Sequence, residues 1–244
     1  MIHLVTSGAV QPACRNLLAL FTARTGIEVD YLRWTSGGEQ AQSIPARLDG
    51  GEAIDLVVLA RPVVTQLMVS GRVALCRDIA RSSIGLAVQT GSEVPDIDSE
   101  EALRATLLAA ASLGVSTSLS GAYVRETLLP RLGIAEAMAG RTHIVTRGLV
   151  GAAVARGEVE LGIQQLSELQ VVGGITVVGP LPESLQRKTV FSAGLIAGGA
   201  QAPAAGALLR FLAGPEAGPV ISAVGLEPVG AVTTPAAGAV HRAS

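Results

Sequence analysis

The sequence predicts an α/β protein folded as two lobes, each a mostly parallel sheet flanked by helices, with a ligand cleft between them. Apolar and β-branched runs of about five residues alternate with longer segments of helical period, the pattern of parallel strands joined by crossover helices. No single linker divides the chain and no internal repeat is evident, so the lobes are expected to use discontinuous segments. Several strands also end in a short Ser/Thr/Gly loop that opens a helix, and strand ends are where open α/β sheets place ligands.

The first strand is expected at 2–6 (IHLVT), followed by a helix at 11–25 and a strand at 27–33. A helix at 38–49 comes next, although Pro45 interrupts its interior. The apolar run at 55–60 reads as a strand, and Pro62 suits the first turn of a helix at 61–70. Further strands are expected at 83–89, 113–116, 142–145, 160–164, 175–178 and 190–197, and further helices at 99–111, 121–132, 148–156, 201–213 and 215–224. Gly214-Pro215 should separate the last two helices. The expected lobes are residues 1–80 with 190–228, and residues 81–189, the chain crossing near 79–84 and 187–192. Residues 229–244, rich in Gly, Ala, Pro and Thr, read as a loose tail.

Composition excludes several functions. The 18 Lys and Arg are scattered among 20 Asp and Glu, leaving no basic stripe for a phosphate backbone, so nucleic acid is not an expected partner. Aromatic residues make up 2% of the chain, too few for stacking platforms. No run approaches the ~20 apolar residues of a spanning helix, so the protein is not expected to be membrane-embedded. Cys14 and Cys76 match neither zinc spacing nor a redox pair and read as buried small residues. His3 and His143 fall in strands and His241 in the tail, none placed as a general base. There is no HExxH, GxSxG, phosphate-loop or GxGxxG motif, and no metal or cofactor is expected.

The chemistry concentrates at four strand-to-helix junctions, each offering hydroxyls, free backbone N–H groups and a positive dipole end to an anion. They are Thr6-Ser7-Gly8, Trp34-Thr35-Ser36-Gly37-Gly38, Ser116-Thr117-Ser118-Leu119-Ser120-Gly121 and Thr146-Arg147-Gly148. Trp34 could wall the cleft or cover the sheet edge, and Tyr123 could supply a phenol donor or only packing.

The order of these junctions resembles the molybdate-binding branch of the type II periplasmic binding proteins, over roughly residues 2–228. The landmarks are IHLVTSGAV at the start, TSGG after the second strand, IDLVVLA at 54–60, LSGAYVRETLLPRLGI at 119–134, VARGEVELGI at 154–163 and FLAGPEAGPVISAVGLEP at 211–228. The resemblance implies a type II two-lobed fold that closes on an oxyanion held by Ser7, Ser36, Ala60 and Ser120. Where that family often places a tyrosine near the ligand, this chain has Gln164-Gln165. Arg61 follows Ala60 and Arg147 opens a helix, so two guanidinium groups are expected near the cleft. Their bidentate geometry suits carboxylates.

The expected function is therefore binding of a small anion, a molybdate-like oxyanion or a small carboxylate, as in the substrate-binding component of an ABC importer. The partners would be the ligand and an ABC permease, and the protein is expected to be a monomer. A cofactor-independent isomerase of an organic acid is the alternative, since relatives of this fold are similar to aconitate isomerase. Arg61 and Arg147 would then clamp carboxylates while Tyr123, Ser118 or Glu168 moves a proton. A cytosolic anion sensor is the third reading. No basic stretch and apolar core precede the strand at Ile2, so a cytoplasmic location is expected, or a periplasmic one if a signal has been trimmed.

Overall fold

A computed structural model describes residues 1–32 and 44–229. In chain order its strands are β1 (Ile2–Thr6), β2 (Val29–Leu32), β3 (Leu56–Ala60), β4 (Val73–Ser82), β5 (Ile84–Gln89), β6 (Leu113–Ser116), β7 (Thr142–Val145), β8 (Leu161–Gln165), β9 (Ile175–Pro180), β10 (Thr189–Ile196) and β11 (Glu227–Pro228). Among the described residues they form two sheets, ordered β11-β4-β10-β3-β1-β2 and β7-β6-β8-β5-β9. The helices are α1 (Gln11–Thr25), α2 (Ile44–Asp49), α3 (Arg61–Val69), α4 (Glu100–Ala109), α5 (Leu119–Tyr123), α6 (Leu129–Arg131), α7 (Ala135–Ala139), α8 (Val150–Ala155), α9 (Leu166–Leu169), α10 (Ala202–Leu212) and α11 (Ala217–Ser222).

The first sheet is covered on both faces, and the two-residue period of its strands shows why. Leu4, Leu56, Val58 and Ala60 pack with Leu17 and Phe21 of α1 and Leu208 of α10, while their neighbours Val5, Val57 and Leu59 pack with Ile44 of α2 and Leu67 of α3. A strand buried on both faces must be apolar throughout, which is why LVVLA reads as an unbroken run. In the second sheet Leu86, Val115 and Ile163 pack with Leu103 and Leu107 of α4 and with Leu128. Ala153 and Val154 of α8 pack with Val159 in a smaller cluster. Ser99 caps α4, its side chain accepting from the Ala102 N–H at 3.0 Å, with Glu100 and Glu101 in the first turn. Gly26, at φ 68°, ends α1 in the left-handed region.

Both sheets are mixed. β1 pairs in parallel with β2 and β3, and β6 with β7 and β8, but β10 runs antiparallel to β3 and β4, and β5 antiparallel to β8 and β9. The antiparallel strands flank the points where the chain passes between sheets: β4 gives way to β5 at Ser83, and the segment after β9 leads into β10. The ten-residue β4 was not expected, because its alternation is broken by Arg77, Asp78 and Arg81. The helix expected over 121–132 begins at Leu119 and passes through a π-helical stretch, Val124–Leu128, into α6. Pro45 stands in the first turn of α2, where proline is tolerated, and residues 38–43 of that expected helix lie outside the described residues. So do Trp34, Thr35, Ser36, Gly37, His241 and nearly all of the tail.

Candidate functional site

The Ser7-Gly8 junction at the end of β1 and the Thr117–Ser120 junction at the end of β6 face the same space. A cavity of about 220 Å³ lies there, also lined by Leu59, Ala60 and Val63 from the first sheet's side, by Gln165 and Glu168 from the second, and by Thr189 and Phe191 of β10. The apolar part of this wall suits a carbon skeleton, and the polar part is mostly hydroxyl.

Each junction is held in place by its own backbone. The Ser7 N–H donates to the Val58 carbonyl at 2.9 Å, fixing the end of β1 against β3. Its hydroxyl is buried and has no hydrogen-bond partner among the described residues, although buried polar groups are paired almost without exception. Across the cavity Ser116, Ser118 and Ser120 form a hydroxyl cluster, with oxygens 2.7 Å apart between Ser116 and Ser118 and 3.1 Å between Ser118 and Ser120. Gly121 makes that cluster possible: a Cβ there would stand 1.8 Å from the Ser116 carbonyl oxygen.

Glu168, in the first turn of α9, brings a carboxyl group into the same space at 9% exposure. Gly8 accommodates it, because a Cβ on Gly8 would lie 2.7 Å from the Glu168 Oε1 atom. The two lobes thus meet where a carboxyl group approaches a bare backbone. Burial pushes the Glu168 carboxyl up to about 7 from its ordinary 4.5, against a smaller downward pull from the Gln164 side chain. Gln164 is itself buried, its Oε1 accepting from the Val150 N–H at 2.8 Å.

Gln165 links the cavity to both chain crossings. Oriented to satisfy both ends of its amide, it donates to the Ser82 hydroxyl at 2.8 Å and accepts from the Thr189 hydroxyl at 2.9 Å. Ser82 ends β4 and Thr189 begins β10. The Ser82 hydroxyl also lies 3.3 Å from that of Ser167.

Beside the inner cavity, and sharing Leu119, Ser120 and Thr189 with it, is an outer one of about 460 Å³ that carries Arg61, Arg187 and Lys188. Arg61 is paired with Asp78 of β4. Lys188 lies 3.1 Å from Glu227, and the Arg187 guanidinium stands 5.5 Å over the Tyr123 ring. An inner chamber of neutral donors therefore opens onto a cationic one.

Of the residues singled out in the sequence, Ser7, Gly8, Ala60, Ser118, Ser120 and Gln165 line the inner cavity. Gly121 and Gln164 lie just behind the wall. Arg61 lines the outer cavity, because its side chain extends from the start of α3 toward Asp78. Tyr123 does not face the ligand space: its hydroxyl donates to the Leu185 carbonyl at 2.6 Å, and burial pushes its phenol above the ordinary value. Arg147 is exposed in the loop after β7 and lines neither cavity. Thr35, Ser36 and Gly37 lie outside the described residues. Cys14 is fully buried, its thiol pushed up to about 12, whereas Cys76 is only half-buried. His3 pairs with Asp55 at 3.3 Å, away from both cavities, and His143 is exposed.

Comparison with known proteins places this geometry among relatives. Residues 2–227 match the family described as bacterial extracellular solute-binding protein. An aconitate isomerase from a Pseudomonas species is 36% identical over 230 residues, covering 93% of this chain and 88% of that protein. The Azotobacter vinelandii periplasmic molybdate-binding protein shares the fold with a TM-score of 0.67 at 18% identity, over 93% of this chain and 98% of that one. PEB3 of Campylobacter jejuni, solved with L-phospholactate bound, gives 0.69 at 12% identity, over 93% and 99%.

Proposed function

This chain belongs to the bacterial extracellular solute-binding proteins, and on that premise we propose that its cleft binds a small organic carboxylate anion between the lobes. The observation that carries the reading is that Ser7, whose buried hydroxyl has no partner among the described residues, lines the same cavity as Ser118 and Ser120 of the opposite hydroxyl cluster, within a partly apolar wall. A buried hydroxyl without a partner costs about 1–3 kcal/mol, which a ligand oxygen would recover. Support for a carboxylate over a bare oxyanion comes from the size of the space and from its wall. The inner chamber alone is several times the ~30 Å³ share of one water, Leu59, Val63 and Phe191 suit carbon, and the outer chamber adds the Arg187 guanidinium, beside Arg61 and Lys188 in their ion pairs with Asp78 and Glu227, for a further carboxylate. Delivery to an ABC permease belongs to this reading, as does a periplasmic site of action.

Thermal unfolding against molybdate, tungstate, sulfate, phosphate and di- and tricarboxylates tests it, because a ligand of the native state raises the midpoint. Carboxylates are expected to raise it. A rise with molybdate or tungstate alone would reject the carboxylate assignment.

A second reading, isomerisation of the bound acid, is favoured by the aconitate isomerase relative and by a titratable group, Glu168, inside the cavity. In it the Glu168 carboxylate takes a proton from the carbon beside a double bond, the double bond moves along by one position, and the same proton is returned to the far carbon. Nothing is oxidised and no cofactor is consumed. Proton NMR of cis- and trans-aconitate incubated with the protein decides it: interconversion that is lost in Glu168→Gln supports catalysis, and unchanged spectra reject it.

A further inference from the structure

Among the described residues lining the inner cavity, Glu168 is the one titratable side chain. The elements packed against α9 are the turn Gly8–Val10, α8, β5, β8 and β9, and none of them carries an Asp, Glu, His, Lys or Arg. α9 itself contributes only Glu168. An anion held by the Ser7 and Ser118–Ser120 hydroxyls would share this small space with a carboxyl group that has no cation beside it among the described residues. Two carboxylates in one site cannot both be ionised without a large penalty, and a buried charge without a counter-charge adds to it.

We infer that Glu168 is a ligand-binding residue that meets the anion as a carboxylic acid and donates a hydrogen bond to it, so that above neutral pH each anion enters together with one proton. The inference rests on the carboxylate-binding reading. The covalent balance is simple: Glu168 gains a proton from solvent on binding and returns it on release. Burial makes the acid accessible near neutrality, since it raises the carboxyl to about 7. The arrangement would also favour fully ionised ligands, which offer an acceptor, over ligands that present their own O–H.

The test is calorimetric titration with tricarballylate, a saturated tricarboxylate with no double bond to move, at several values from about pH 7 to about pH 9 and in buffers of unlike ionisation enthalpy. The wild type is expected to take up close to one proton per ligand at the upper end, with affinity falling about tenfold per pH unit there. Glu168→Gln, whose amide donates at every pH, should bind with little pH dependence and no buffer dependence. Wild-type binding without proton uptake overturns the inference and leaves the carboxylate reading standing. Loss of binding in folded Glu168→Gln also overturns it, and the wild-type titrations decide alone should that variant not fold. No binding heat from any carboxylate overturns the carboxylate reading, and this inference with it.

Discussion

Glu168 also makes folding stability depend on pH. Its folded-state value of about 7 lies above the ordinary 4.5, so the folded chain holds a proton that the unfolded chain gives up between those values. Stability from this group is fully present below about pH 4.5 and is lost as pH rises through about 7, by roughly 3 kcal/mol in all. Glu168→Gln is therefore expected to be more stable than wild type near pH 8 and to show a flatter unfolding free energy across that window. Urea unfolding at several pH values measures both, and parallel pH profiles for the two proteins would contradict the assignment. Ser7→Ala separates binding from folding in a different way. Removing an unpartnered buried hydroxyl should leave stability unchanged or raise it by up to about 1 kcal/mol, while weakening carboxylate binding about tenfold. At this scale the sequence revealed the hydroxyls, because Ser and Thr at strand ends have a local signature. It offered Glu168 only as one of three candidate proton carriers beside Tyr123 and Ser118, since QQLSEL carries no motif and the isolation of the carboxyl is made by five other elements. Arg61 is a finer case: Ala60 lines the inner cavity, whereas the arginine side chain turns toward Asp78 of β4 and lines the outer one.

Between elements, the contact of β6 with α5 determines where the Ser116–Ser120 hydroxyls point. Gly121→Ala would drive a Cβ into the Ser116 carbonyl, and we expect a loss of about 3 kcal/mol or an unfolded product, measured by urea denaturation. A stable Gly121→Ala variant with normal binding would show that the helix can back away from the strand without cost. Strands buried on both faces, such as β1 and β3, were legible as apolar runs, and α1 and α10 as helices of ordinary period. β4 was not, since it alternates buried Val73, Ile79 and Ala80 with charged positions in no regular period. The π-helical stretch at Val124–Leu128 also leaves no trace in composition, because it is a change of hydrogen-bond register within one helical run.

Across the whole molecule, two sheets built from interleaved segments meet at one cavity, and the crossings at Ser82–Ile84 and Thr189 are tied together by Gln165. We propose that closure on a ligand turns about these crossings, the ligand bridging Ser7 on one side and Ser120 on the other. Gln165→Ala should then lower affinity more than stability, since it loosens the tie between the crossings without opening either core. Comparable losses in calorimetric binding and in urea unfolding free energy would count against a hinge role. The two-lobed class was readable because helix and strand periods alternate over most of the chain. The mixed order within each sheet was not, since pairing direction depends on where the chain crosses. The central claim is that a carboxylate sits between these junctions, and calorimetric titration of tricarballylate into wild type and the Ser7→Ala/Ser120→Ala pair tests it most directly. Saturable binding to wild type that weakens by about a hundredfold in the double variant is the predicted result, from about 1.5 kcal/mol for each charge-assisted hydrogen bond. Equal affinities in the two proteins, or binding of molybdate with none of tricarballylate, would contradict it.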